Sequence, residues 1–254
     1  MKVTILGCGT SGGVPRIGNQ WGACDPAEPK NRRRRCSILV QDQGSTVLID
    51  TSPDIREQLL DADIGELDGV VWTHEHADQC HGIDELRVLA ISSRQKVDVW
   101  GDSATLDVLK KRFDYCFTQL DGSPYPAILD DHLITANTPF SVGKIDFIPF
   151  EQDHGAIHSL GFRMGKIGYS NDLVNLDDNG FEILAGIDTW IVDAMRYKPH
   201  PTHVNLKTAL EWIERLKPRR AILTNMHVDL DYQTLCRELP DGVEAAYDGM
   251  EITI

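Results

Sequence analysis

Short apolar runs separated by polar turns dominate this chain. They cover residues 3–6, 37–40, 46–49, 70–72, 97–100, 145–149, 159–164, 167–170, 189–192, 221–223 and 252–254. Their β-branched content and the Gly, Asp and Pro that bound them predict strands. Apolar residues three and four apart over 53–62, 103–113, 206–216 and 230–239 predict helices. Strands in both halves with helices between them predict an α/β sandwich, two sheets covered by helices on their outer faces. No internal repeat, low-complexity tract or long linker interrupts residues 1–254, which read as a single domain. In such a layout the chemistry belongs to polar loop tips at strand ends.

Four such tips stand out. His74-Glu75-His76-Ala77-Asp78 follows the apolar run 69–72 and Thr73. Histidines at i and i+2 on a strand end or tight turn point the same way and can share one cation, and Asp78 can reach a second cation or hold a water. Gln152-Asp153-His154-Gly155 follows the strand ending at Phe150. Tyr169-Ser170-Asn171-Asp172 closes another short strand, and Thr224-Asn225-Met226-His227 follows the run 221–223. Neutral imidazole and carboxylate are the usual ligands of zinc and manganese. A carboxylate such as Asp172 can bridge two ions.

Composition narrows the setting. Hydrophobic content of 41% and charged content of 25% over 254 residues are ordinary for a soluble globular protein. No apolar run approaches the roughly 20 residues of a membrane span, and the first residues lack a signal peptide's layout, so a cytoplasmic protein is expected. Six scattered cysteines with no Cys-x-x-Cys pair read as reduced thiols. A net charge of −14 argues against a broad nucleic-acid surface but leaves room for a small anionic substrate. The run 32–35, four arginines, is read as a solvated loop, with bidentate grip on a substrate phosphate as the alternative.

His74-x-His76-x-Asp78, then His154, Asp172 and His227, resemble the metal-site series of the metallo-β-lactamase superfamily. The opening Leu6-Gly7-Cys8-Gly9-Thr10-Ser11-Gly12-Gly13-Val14-Pro15 and the segment Ile49-Asp50-Thr51-Ser52-Pro53-Asp54 are similar to its ribonuclease Z and PhnP-like phosphodiesterase branches. The likeness spans nearly the whole chain. It implies a four-layer αββα sandwich with a two-metal site at one edge, holding zinc or manganese. His74, His76 and His154 would hold the first ion and Asp172 would bridge. Asp78 would hold the second ion and orient an attacking hydroxide. His203 matches the general-acid histidine of the PhnP-like branch, with an ordinary surface histidine as its alternative. Asp50 and Asp193, each closing an apolar strand, would accept hydrogen bonds from ligand imidazoles; a turn or cap role is the alternative, most evenly balanced for Asp193.

Two positions depart from the family pattern His-x-His-x-Asp-His. Gln79 stands where the last histidine belongs, and Asn225 holds the usual place of the C-terminal ligand, leaving His227 two residues later. An amide oxygen binds zinc or manganese more weakly than imidazole does. A well-formed first site and a weak, rearranged or empty second site are therefore expected, with Gln79 and His227 as its available ligands. The loop after the first strand carries only Cys24, too few thiols for a structural zinc. The function expected is a metal-dependent phosphodiesterase acting on a small cyclic or nucleotide-like phosphodiester. Alternatives are a thioester or lactone hydrolase of the same fold, a tRNA 3′-processing ribonuclease, or a degenerate member that binds nucleotide or metal without turnover. A homodimer is compatible with the resemblance.

Overall fold

The computed structural model describes residues 1–119 and 121–254. Among them are strands β1 (Lys2–Gly7), β2 (Ser37–Asp42), β3 (Ser45–Ile49), β4 (Gly69–Val71), β5 (Val97–Gly101), β6 (Leu129–Leu133) and β7 (Phe140–Val142). The second half adds β8 (Ile145–Asp153), β9 (His158–Met164), β10 (Ile167–Ser170), β11 (Thr189–Asp193), β12 (Arg220–Thr224), β13 (Val243–Ala245) and β14 (Met250–Thr253). They form two sheets, ordered β14-β1-β2-β3-β4-β5-β6 and β13-β12-β11-β10-β9-β8-β7. Helices cover the outer face of each, so the architecture is the expected αββα sandwich.

Alternation along the strands builds the layers, because successive strand side chains point to opposite faces. Ile38, Val40, Val47, Ile49 and Val71 join Phe147, Phe162, Tyr169 and Ile191 in one core between the sheets. Their neighbours Leu39, Leu48, Val70 and Trp72 face the other way, against Ile55, Leu59, Leu86 and Leu106 of the outer helices. Every strand foreseen from the apolar pattern is present. Three escaped it: β6 reads Leu-Asp-Asp-His-Leu, too polar to signal a strand, while β7 and β13 are three-residue edge strands. The helix Leu206–Leu216 has the foreseen bounds, started by Asn205, whose side chain accepts from the Thr208 amide at 2.9 Å. Ala77–Cys80, Leu86–Ser93, Asp114–Phe117 and Asp178–Leu184 are helices too short to show a period.

Strands β3, β4, β5 and β6 run parallel, as do β10, β11, β12 and β13. Parallel neighbours end on the same edge of their sheet. The loops leaving β3, β4, β10, β11 and β12 therefore emerge side by side. A hydrogen bond donated by the Leu160 backbone amide of β9 to the Thr73 carbonyl, 2.9 Å, ties the two sheets together at this edge. No helix among the described residues is long and apolar enough to cross a membrane. All six cysteines are free thiols, five of them buried.

Most of the arginine run is built into the fold, and only Arg32 is exposed. Arg33 is fully buried and donates to the carbonyls of Leu230 (2.7 Å) and His227 (3.4 Å) and to Asn31 Oδ1 (3.3 Å). Arg34 pairs with Asp61, and Arg35 with Asp54 at 2.9 Å. Arg32 lies over the Trp21 ring, 5.5 Å from its centre. The run pins the N-terminal loop to the C-terminal third of the chain. Asp231 completes that tie, accepting from the Asn31 side chain (2.7 Å), the Asp25 amide (3.2 Å) and the Thr234 amide (2.9 Å) at the start of the helix Tyr232–Glu238.

Burial alone would raise the Asp231 pKa, but these donors outweigh it and bring the carboxyl down to about 2. Asp231→Ala is expected to cost about 1 kcal/mol in denaturant unfolding at neutral pH, as for a lost helix cap. A depressed carboxyl contributes stability that is present above the unfolded value of about 4 and lost as pH falls through about 2. The gap between wild type and variant should therefore narrow over that acid interval, and a gap of undiminished size at pH 2 would refute the assignment.

Candidate metal centre

The Thr73–Asp78 segment leaves β4 and puts His74 and His76 on one side. The His154 loop closes the approach from the end of β8. The ligand atoms of His74, His76 and His154 lie within 4.8 Å of one another. The three rings are mutually edge-on, with centres 4.6 to 5.0 Å apart. His154 donates from Nδ1 to the Thr202 carbonyl (2.8 Å), which leaves a lone pair on Nε2, 3.2 Å from His76 Nδ1. His74 is fully buried, and its Nε2 has no hydrogen-bond partner.

Asp50 fixes which nitrogen of His74 is left free. Its carboxylate accepts from the Thr73 amide (2.8 Å) and from the Thr73 hydroxyl (2.9 Å). With its proton given to Asp50, Thr73 Oγ1 accepts from His74 Nδ1 at 3.0 Å. The proton thus sits on Nδ1 and the lone pair on Nε2 points into the triad. The expected direct bond from Asp50 to a ligand imidazole is replaced by a relay through Thr73, because the left-handed turn at Asp50 (φ 66°) aims its carboxylate at the chain beside it. Burial holds the His74 pKa well below its usual value, helped by the rings of His154 and His76. Burial, then His203, likewise lowers His154 to about 4 against the opposing pull of the Thr202 carbonyl. Two buried imidazoles held below their usual pKa, one with an orphaned nitrogen, and the exposed His76 beside them are a set of donors that fits a divalent cation.

Beside the triad lies a carboxylate cluster. Asp172 follows β10 and is buried at 2% exposure, and both of its oxygens are in use. Oδ2 accepts from the amides of Asn171 (2.6 Å) and Gln79 (2.9 Å), and Oδ1 from Asn225 (3.2 Å). Gln79 also reaches Asp78 at 3.2 Å. Asp193 Oδ2 accepts from Asn225 and from His203 Nδ1, each at 3.0 Å. Asp193 thus steadies His203 rather than a ring of the triad. The His203 ring lies 4.8 Å from that of His154, and Nδ1 is 3.6 Å from Asp172. Burial would lower the His203 pKa, but the Asp193 bond and the charges of Asp193, Asp172 and Asp78 lift it to about 9. That lift favours the protonated ring at neutral pH. Asp50, Asp172 and Asn225 all take left-handed backbone (φ 66°, 54° and 58°), the small polar tips that such strand-end turns admit.

Two further expectations need correction. His227 does not join the cluster: the turn at Asn225 redirects the chain, Arg16 donates to His227 Nε2, and Nδ1 faces Asp229 at 3.2 Å. Gln79 turns its amide nitrogen, not its oxygen, toward Asp78 and Asp172, because a carboxylate can only accept. Thr73, Asn171 and the Thr202 carbonyl were not foreseen. Only adjacency to a motif residue could have flagged them, since their roles depend on contacts between distant loops.

The family described as a beta-lactamase superfamily domain matches residues 45–226. A solved diphosphatase from the PhnP family superposes with a TM-score of 0.91 at 35% identity, covering 99% of this chain and 96% of that one. The zinc-bound PqqB of Methylobacterium extorquens superposes over the full length of both chains with a TM-score of 0.78, and at 17% identity that likeness concerns the fold alone. An octanoyltransferase of Porphyromonas gingivalis is 32% identical over 260 residues, 100% of this chain and 52% of that protein. The chain therefore spans about half the length of that curated relative.

Thr73→Val keeps the size of the side chain and cuts the relay to His74. Divalent-metal affinity, measured by competition with a chromophoric chelator, should fall about 10- to 100-fold, as for other lost partners of a ligand imidazole. His74→Ala should remove tight binding altogether. Unchanged affinity in Thr73→Val would show that the relay does not set the ring's tautomer.

Proposed function

Because this chain belongs to the beta-lactamase superfamily, on its PhnP-like branch, we propose that its metal-dependent hydrolysis acts on phosphodiesters. The substrate class is a small anionic phosphodiester, cyclic or nucleotide-like. The observation that carries this reading is the placement of His203 beside the three-histidine cluster, its ring 4.8 Å from His154 and its Nδ1 bonded to Asp193. His74, His76 and His154 would hold a zinc or manganese ion. When bound, that ion supplies Lewis-acid polarisation and lowers the pKa of water toward ~7.

The chain's own groups do the rest. Asp193 occupies Nδ1 of His203, so the ring's transferable proton is on Nε2, where a departing alkoxide can take it. Asp78, at the mouth of the cluster, orients the attacking water. Asp50 acts only through Thr73, and Asn225 holds Asp193 in line. The buried tips around Asp172 exclude bulk water from the inner side. The 35% identical PhnP-family diphosphatase supports phosphorus over carbon as the centre attacked. A second reading, hydrolysis of a thioester or lactone, is favoured by the likeness to an octanoyltransferase, although half of that protein lies outside the match. Free buried thiols suit a reducing compartment, and we assign the enzyme to the cytoplasm.

The test uses metal-loaded protein with bis-p-nitrophenyl phosphate, alkyl phosphodiesters including 2′,3′-cyclic nucleotides, and an acyl thioester. Phosphodiester turnover is expected. His203→Ala should keep its metal and lose about 10²- to 10⁴-fold in kcat on alkyl esters, where the leaving oxygen needs a proton. The loss should be much smaller for p-nitrophenolate, which departs unaided. Turnover of the thioester alone would favour the acyl reading, and equal losses on both esters would remove the acid role from His203.

A further inference from the structure

We infer that the protein's own amide donors take the place of the second cation, so that this centre binds one divalent ion per chain. The inference rests on the first-ion reading above and concerns the other half of the cluster. Asp78 and Asp172 are the carboxylates a second ion would need. Gln79 Nε2 bonds to both, at 3.2 and 2.9 Å, from a fully buried side chain. Asn171 and Asn225, also buried, add contacts of 2.6 and 3.2 Å to Asp172. Asn225 spans from Asp172 to Asp193, and His203 Nδ1 lies 3.0 Å from Asp193.

These N–H groups do the electrostatic work a cation would do, spreading partial positive charge over carboxylates that burial would otherwise leave unpaired. An incoming ion would meet amide hydrogens instead of lone pairs. To admit it, Gln79 and Asn225 would have to turn about and give up their bonds to three carboxylates, offering only amide oxygens, poor ligands for zinc or manganese. Gln79 Oε1 is itself buried without a partner, so the side chain accepts an unsatisfied oxygen in order to keep its nitrogen on Asp78 and Asp172. The residue pattern and the hydrogen bonds thus agree: positions 79 and 225 hold donors, and the first triad keeps its acceptors.

The experiment is a metal count. Protein saturated with zinc, and separately with manganese, is desalted and its metal measured by mass spectrometry. An Asp98→Asn background removes the exposed Asp98–Asp130–His132 cluster, which could carry a stray ion. One ion per chain is expected, rising to two in Gln79→His/Asn225→His, where both amides become imidazoles. Two ions in the parent protein would overturn the inference and leave the hydrolase reading standing. A folded double variant that still holds one ion would overturn it as well, since the amides would not be what excludes the second. No ion in the parent would sink both. Should the double variant fail to fold, titration of the parent with cobalt decides: visible absorption that saturates at one equivalent supports the inference, and saturation at two overturns it.

Discussion

A buried imidazole nitrogen with nothing to bind is the constraint from which the rest of the site follows. Leaving a polar atom unpaired in the interior costs about 1–3 kcal/mol. His74 Nε2 is in that position, and its tautomer is fixed by a relay of its own through Thr73 to Asp50. A fold optimised for stability alone would have filled the gap with a donor. Here His76 and His154 add lone pairs to the same space, and His154 is turned toward it by the Thr202 carbonyl. The local cost makes sense when a cation is what completes the set.

The scaffold that tolerates this cost is the pair of sheets. All the triad and carboxylate-bearing loops except that of His154 leave parallel strands, so their tips are delivered to one edge without long connections. The positive-φ turns at Asp50, Asp172 and Asn225 then bend each tip inward within one residue. Only small residues that tolerate left-handed backbone suit such corners. Behind them, Gln152 and Ser159 fasten the backbone of Asn171 and Asp172 by bonds of 3.0 and 2.7 Å. The polar interior is therefore a continuous network rather than isolated side chains, which is how buried polar groups become rigid.

Charge is arranged as locally as shape. The chain carries a net −14, yet His203, whose ring lies beside that of His154, has its pKa lifted by three carboxylates. The cationic run at 32–35, the obvious candidate for anion binding, is spent on architecture: Arg33 on backbone carbonyls, Arg34 and Arg35 on Asp61 and Asp54. Global sign and local field are different quantities, and only the local one bears on an anionic substrate.

The sequence by itself determined all but three of the strands, the order of the polar tips and the pairing of His74 with His76, because apolar runs and a His-x-His-x-Asp spacing are local facts. It also marked Gln79 and Asn225 as departures. What it could not determine was direction. Whether an amide presents nitrogen or oxygen depends on carboxylates that arrive from 93 residues away, as between Gln79 and Asp172. His227 looked like a ligand by position and became a partner of Arg16, 211 residues distant, because one left-handed residue turned the chain. The arginine run looked solvated until its partners, from Asp54 to Leu230, closed around it. Contacts between distant loops are set by the packing of the two sheets, and only the tertiary structure decides them.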